Sequence, residues 1–104
     1  MSEFTGVTIV KEANIYFEGR VTSRTILFPD GSRKTLGILL PGEYEFSTNE
    51  KEIMELLSGG LEFSMSEDEG WQSVQAGGTF EIPAQSTFKV KVNEITDYCC
   101  SYIS

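Results

Sequence analysis

Along most of this chain, apolar residues recur at every second position, in short runs broken by glycine, proline or polar clusters. Phe88-Lys89-Val90-Lys91-Val92 alternates strictly, Leu61-Glu62-Phe63-Ser64-Met65 does so again, and Glu43-Tyr44-Glu45-Phe46 alternates charged with aromatic residues. A period of two marks a half-buried strand, because successive side chains point to opposite faces. Ile15 to Phe17 and the stretch from Arg20 to Phe28 are rich in β-branched and aromatic residues and favour strand as well. Pro29-Asp30-Gly31-Ser32 reads as a turn, which makes Arg33 to Leu40 the second strand of a hairpin. Pro41-Gly42 is a second turn. Glu50 to Leu57 fits helix or strand by pattern alone, and Gly59-Gly60 closes it, so a strand pair around those glycines is the simpler reading. Glu67-Asp68-Glu69-Gly70 reads as a solvated acidic turn. Trp71 to Gln75, Thr79 to Ile82, Thr87 to Val92 and Tyr98 to Ile103 complete a set of about ten strands, the pattern of a sandwich or small barrel. So many short strands need closure or double-sheet packing to manage their edges. Trp71 is expected to cap one end of the core.

The chain has 104 residues and 11.6 kDa, the size of one domain. Apolar residues at 39% and aromatics at 12% are enough for one modest core, which argues against a disordered tail or a membrane protein. The net charge of −8 sets a low expectation for nucleic acid or an anionic membrane as partner. There is no histidine, so Ser-His-Asp and Cys-His catalysis are excluded, together with any metal site that needs imidazole. Chemistry must run on carboxylates, arginines, hydroxyls and backbone dipoles. The two cysteines, Cys99 and Cys100, are adjacent; in a strand their thiols diverge, so they form no disulfide framework and point to a reducing compartment. No signal peptide and no membrane-length apolar run is visible, and a cytoplasmic location is the expectation.

Charge is unevenly spread. Residues 1–42 carry five basic and four acidic groups, whereas residues 43–104 carry three basic and twelve acidic ones. All three arginines (Arg20, Arg24, Arg33) fall in the first part. On a hairpin they are placed to converge on one anion, and the planar guanidinium suits phosphate or carboxylate. Balancing acidic neighbours on the surface is the other use for them.

Several motifs then follow in a specific order. They are Tyr16-Phe17-Glu18-Gly19-Arg20-Val21-Thr22-Ser23, Gly42-Glu43-Tyr44-Glu45-Phe46-Ser47-Thr48, Glu52-Ile53-Met54 with Ser58-Gly59, Gly77-Gly78-Thr79-Phe80-Glu81-Ile82-Pro83, Phe88, and Tyr98-Cys99-Cys100-Ser101-Tyr102. Together they resemble the small cupin family of pyrimidine/purine nucleoside phosphorylases, over roughly residues 15–103. Broader cupin spacings are present too, with six residues between Glu52 and Gly59 and five between Gly77 and Pro83. The positions where metal-binding cupins carry histidine fall near Phe46 and Thr48 and at Phe88. Glu52 alone does not hold a transition metal, so the chain is similar to the metal-free branch.

The resemblance implies an all-β, single-domain, cupin-type jelly-roll β-barrel, with residues 1–14 as a variable N-terminal extension or an edge strand. It implies phosphate-dependent cleavage of purine and pyrimidine nucleosides to free base and pentose 1-phosphate. No cofactor or metal is expected; orthophosphate is a co-substrate, nucleoside the other, and a homodimer the expected assembly. Such a reaction needs a held dianion, an oriented ribose and a site shielded from water, which positioning and electrostatics supply. On this likeness Arg33 is the first choice for phosphate and Arg24 the second, with Ser47 and Thr48 as hydroxyl donors. Glu52 is assigned to the ribose hydroxyls or the sugar cation, with Arg33 and Glu52 as the catalytic pair. Tyr44, Phe46 and Phe88 are the candidates to stack on the base, which tolerates any base because each has a π-face. Tyr98, Cys100 and Tyr102 share one face of the last strand and read as core or dimer contacts. The alternatives are a non-catalytic cupin module that binds a sugar or nucleoside, and a structural dimer that recruits a protein partner.

Overall fold

In the computed structural model, which describes residues 3–65 and 70–103, the alternating runs are strands and the glycine- and proline-containing breaks are their ends. In chain order these are β1 (Thr8–Ile9), β2 (Asn14–Tyr16), a 3-10 turn (Phe17–Gly19), β3 (Val21–Leu27), β4 (Arg33–Leu39), β5 (Gly42–Ser47), β6 (Lys51–Ser58), β7 (Gly60–Ser64), β8 (Gln72–Gln75), β9 (Thr79–Ile82), β10 (Thr87–Val92) and β11 (Thr96–Ile103). The described residues contain no α-helix. A seven-stranded sheet runs β1-β3-β4-β11-β6-β9, with β2 also on β3, and a four-stranded sheet runs β5-β10-β7-β8. All pairings are antiparallel. The two sheets face each other as a jelly-roll barrel, and alternate residues of the longer strands enter the core. Val21, Leu39, Met54 and Leu56 of the large sheet meet Leu61, Phe63, Val90 and Val92 of the small one. Phe63 stacks on Phe80 across the seam, with ring centroids 4.3 Å apart.

The hairpin at residues 29–32 is present as the sequence predicts. Gly31 N–H donates to the Phe28 carbonyl, and Phe28 N–H to that of Ser32. The Asp30 carboxylate accepts from the Ser32 hydroxyl at 2.6 Å and the Ser32 N–H at 2.8 Å, which holds its pKa below the usual carboxylate range.

One pairing differs from expectation. Lys51–Ser58 and Gly60–Ser64 are both strands, but they do not pair with each other. β6 lies between β11 and β9, and β7 between β10 and β8, so the chain passes from one sheet to the other at Gly59. Gly59 has φ +81°, and a Cβ there would sit 2.5 Å from the Ile95 carbonyl oxygen. The fully buried Thr96 ties this crossover down. Its hydroxyl lies 2.9 Å from the Glu94 carbonyl and 3.1 Å from that of Gly60, and accepts the Gly60 N–H at 3.2 Å. Alternation identifies a strand but carries no record of its neighbour, which explains the missed pairing.

Trp71 does not cap the core end. It stands beside the small sheet with Lys91 Nζ 4.2 Å from its ring centroid, and Lys91 points away from the core between inward Val90 and Val92. At the other side of the molecule β1 and β2 line up along the edge of β3, and Phe4 packs edge-on against Phe28 at 5.2 Å. Glu67, Asp68 and Glu69, expected as an acidic turn, lie outside the described residues.

Candidate active site

The barrel interior holds a cavity of about 150 Å³ between the two sheets. Strand alternation decides its lining. From β6 come Glu52 and Met54, from β11 Tyr98, Cys100 and Tyr102, from β3 Val21 and Ser23, and from β5 and β10 Phe46, Ser47, Phe88 and Val90. Tyr16 of β2 reaches in at the mouth. One wall is apolar and aromatic, with Phe46 and Phe88 tilted against each other at 5.6 Å. The opposite wall, on β6 and β11, carries the polar groups.

Glu52 is the carboxylate of that wall, placed beside Tyr102 by the β6–β11 register. The Cys100 thiol donates to its Oε1 at 3.6 Å. Burial raises the Glu52 pKa, while the thiol contact and the Arg33 charge pull it down. Burial, with the Glu52 charge next, pushes the Cys100 thiol well above its ordinary value, so it stays protonated and remains a donor. Burial likewise keeps Tyr98 and Tyr102 protonated. The Tyr102 hydroxyl shares a hydrogen bond with Thr35 Oγ1 at 3.2 Å.

Arg33, at the start of β4, lies over this wall. Its guanidinium carbon is 3.8 Å from the Tyr102 ring centroid, and its Nη2 donates to Glu50 Oε1 at 3.0 Å. Both partners of this ion pair are more than a third exposed, so the pair is solvent-screened and exchangeable.

Four of the residues singled out in the sequence therefore line the cavity, Ser47, Glu52, Phe46 and Phe88, and a fifth, Arg33, covers the lining ring of Tyr102. Three others stand elsewhere. Arg24 is next in sequence to the cavity-lining Ser23, so alternation turns it to the outer face, where its Nε meets the Lys11 carbonyl at 3.4 Å. Thr48 is buried as a structural tie; its hydroxyl donates to the Pro83 carbonyl at 2.7 Å and accepts from Ser86 N–H at 3.0 Å. Tyr44 is buried behind the lining. Its hydroxyl donates to the Leu40 carbonyl at 2.7 Å, and its ring packs on Phe17 at 5.0 Å. Sequence reasoning did not assign Tyr16, Ser23, Tyr98, Cys100 and Tyr102 to the site. The signal for the last three was present, since a strand whose inward positions all carry a polar tip differs from a plain core strand.

Among the described residues, no three side chains of His, Cys, Asp or Glu converge as metal ligands. No helix among them is long and apolar enough to cross a membrane.

The chain as a whole is similar to several known proteins. A family model described as pyrimidine/purine nucleoside phosphorylase matches residues 11–102. A protein of that name from Trichlorobacter lovleyi is 58% identical over 104 residues, covering all of both chains. One from Chlorobium chlorochromatii is 59% identical over 103 residues, covering 99% of each. A crystal structure of an Acinetobacter protein of unknown function superposes with a TM-score of 0.92 at 36% identity, covering 97% of this chain and 98% of that one. A cupin-2 domain protein from Shewanella frigidimarina gives 0.66 at 18% identity over 79% of each chain, a likeness of fold. The barrel is a cupin-type jelly roll.

Proposed function

This chain belongs to the pyrimidine/purine nucleoside phosphorylase family, and we propose that the reaction takes place in the barrel cavity beneath Arg33. The enzyme is a nucleoside phosphorylase: the bond between base and sugar C1′ breaks, a phosphate oxygen bonds to C1′, and free base and pentose 1-phosphate leave. The observation that carries the assignment of the site is that an exchangeable arginine covers the ring of Tyr102, which lines an aromatic-walled cavity together with the half-buried carboxylate of Glu52.

The roles follow from charge. Arg33 holds orthophosphate in the place now taken by the Glu50 carboxylate, and the Tyr102 ring beneath keeps the guanidinium flat and aimed. Ser47, at the cavity edge, adds a hydroxyl. Glu52 faces the sugar. A carboxylate that has lost part of its water is a poorly solvated anion, and it gains most when positive charge develops at C1′. Phe46 and Phe88 receive the base by stacking, which reads no base edge and so admits purines and pyrimidines alike. A cavity of about 150 Å³ is smaller than ordinary ligand pockets, so Tyr16 at its mouth turns aside when a nucleoside enters. The base leaves with a proton drawn from solvent at the open mouth. No step requires a metal or other cofactor.

The enzyme works in the cytoplasm, which suits two free thiols. It works as a homodimer through the outer face of the large sheet, where Leu36, Ile38, Ile53, Leu57 and Ile103 alternate with the inward positions.

The test is base release from inosine, adenosine, guanosine, uridine, cytidine and thymidine, with and without orthophosphate. Release of both base classes only with phosphate is expected. Release without phosphate, or none in either case, overturns the reading in favour of a hydrolase or a binding module. Hydrogen bonds from a charged donor are worth about 1.5–3 kcal/mol. Arg33→Ala should therefore raise the KM for phosphate about tenfold or more, with the nucleoside KM little changed.

A further inference from the structure

The strand row Tyr98-Cys100-Tyr102 has a member that the phosphorylase chemistry does not use directly. Cys100 is 2% exposed and central in the large sheet, opposite Thr35 of β4 and Met54 of β6. Its neighbour Cys99 faces the other side. A buried cysteine at such a position ordinarily packs as a small apolar group. This one lies 3.6 Å from Glu52 Oε1 and 3.9 Å from the Ser101 carbonyl, with the Tyr102 hydroxyl as a further hydrogen-bonding neighbour.

We propose that Cys100 is a positioning residue for phosphorolysis: its thiol holds one oxygen of Glu52 against β11 and leaves the other oxygen turned to the sugar. The proposal rests on the assignment of Glu52 to the sugar cation. The geometry supplies three reasons. Among the described residues Glu52 has no ion pair of its own, because Arg33, the cation whose charge acts on it, is held by Glu50. The thiol is the side-chain donor that Glu52 has. Cys100 is itself fixed, since Tyr102, two residues on, is anchored to Thr35 by its hydroxyl and covered by Arg33. Loss of the thiol frees the carboxylate to rotate and removes a hydrogen bond that favours its charged form.

The groups that set Glu52's charge besides burial are Cys100 on β11, Arg33 on β4 and Glu50 in the β5–β6 connection; Tyr98 and Tyr102 on β11 stay neutral, and the Glu52 charge helps to keep them so. On the β9 side its register partner is the apolar Ile82. The sign of the effect is therefore determined. Without the thiol, desolvation acts with less opposition, Glu52 protonates at higher pH, and the acid limb of the rate profile moves up.

The experiment compares the full-length wild type, Cys100→Ala, Cys100→Ser and Glu52→Gln. Phosphorolysis of uridine is followed against pH, alongside the carboxyl titration of Glu52 by carbon NMR on glutamate-labelled protein, with the signal identified by its loss in Glu52→Gln. Cys100→Ala is expected to move the acid limb and the NMR midpoint upward together, by about half a unit or more, and to lower kcat about threefold to tenfold. The KM for phosphate should change less than about twofold. Cys100→Ser, which keeps a donor, should fall between the two. Coincident wild-type and Cys100→Ala titrations, in protein that unfolds at the same temperature, overturn the thiol–carboxylate contact. A shifted titration with full activity in Glu52→Gln overturns the assignment of Glu52 to the sugar, and with it the positioning role in turnover. The two failures are read from different signals.

Discussion

Glu52 carries the clearest electrostatic consequence at the scale of a single residue. Burial lifts its pKa above that of an unfolded glutamate, so the folded state favours the neutral form. The stability that the neutral carboxyl allows is fully present below the unfolded pKa and is lost as the pH rises through the folded one. A neutral isostere removes that loss. Glu52→Gln should unfold at a higher temperature than the wild type at about pH 7.5, and the difference should close by about pH 4, a comparison made by calorimetry at both values. Enhanced stability with loss of turnover is the expected behaviour of a group kept for chemistry. Residue type and order made Glu52, Arg33, Ser47, Phe46 and Phe88 visible as candidates. Thr48 and Tyr44 have the same polar atoms as the residues that line the cavity, but their hydroxyls are consumed by backbone carbonyls. Which carbonyl lies near a hydroxyl depends on strands distant in the chain, as Thr48 and Pro83 illustrate.

At the scale of the element, β4 shows how a strand makes room for the site. Gly37 lies in register between Ser23 of β3 and Tyr98 of β11, on the inward side of the sheet. A Cβ there would collide with the Thr22 backbone carbonyl and stand 2.7 Å from the Tyr98 hydroxyl oxygen and 2.8 Å from the adjoining ring carbon. The missing side chain leaves the space that the Thr22 carbonyl and the Tyr98 ring occupy. Gly37→Ala should part β3 from β4 and displace the ring, lowering stability by about 1–3 kcal/mol in urea titration and raising the nucleoside KM. In the sequence this glycine looks like a weakness in an otherwise good strand. Its reason lies in the neighbouring strands, in the Thr22 carbonyl and in Tyr98, sixty-one residues away. The strands themselves were legible because their pleat leaves a period of two in the composition. The mis-paired β6 and β7 mark the limit of that signal, since both faces of the break at Gly59 alternate equally well.

At the scale of the whole molecule, the acidic charge and the apolar outer row act together. The net charge of −8 keeps copies apart at long range, and charges separated by more than about 8–10 Å are screened at physiological salt. The outer face of the large sheet carries the apolar row that the proposed homodimer would bury. Leu57 and Ile103 are each 46% exposed. Light scattering should give twice the 11.6 kDa chain mass, and Leu57→Lys, which sets a charge in the row, should give the single-chain mass. A wild-type mass of one chain would contradict the dimer.

The sequence by itself determined the class of the fold, the absence of imidazole chemistry and the set of side chains from which a site can be built, because alternation, composition and residue type are local properties. The tertiary structure decided which of those side chains share a cavity. It turned Arg24 outward and Arg33 over Tyr102, committed Thr48 to Pro83, and set the Cys100 thiol against Glu52. Those outcomes depend on register between strands far apart in the chain, where a shift of one residue exchanges the inner face for the outer.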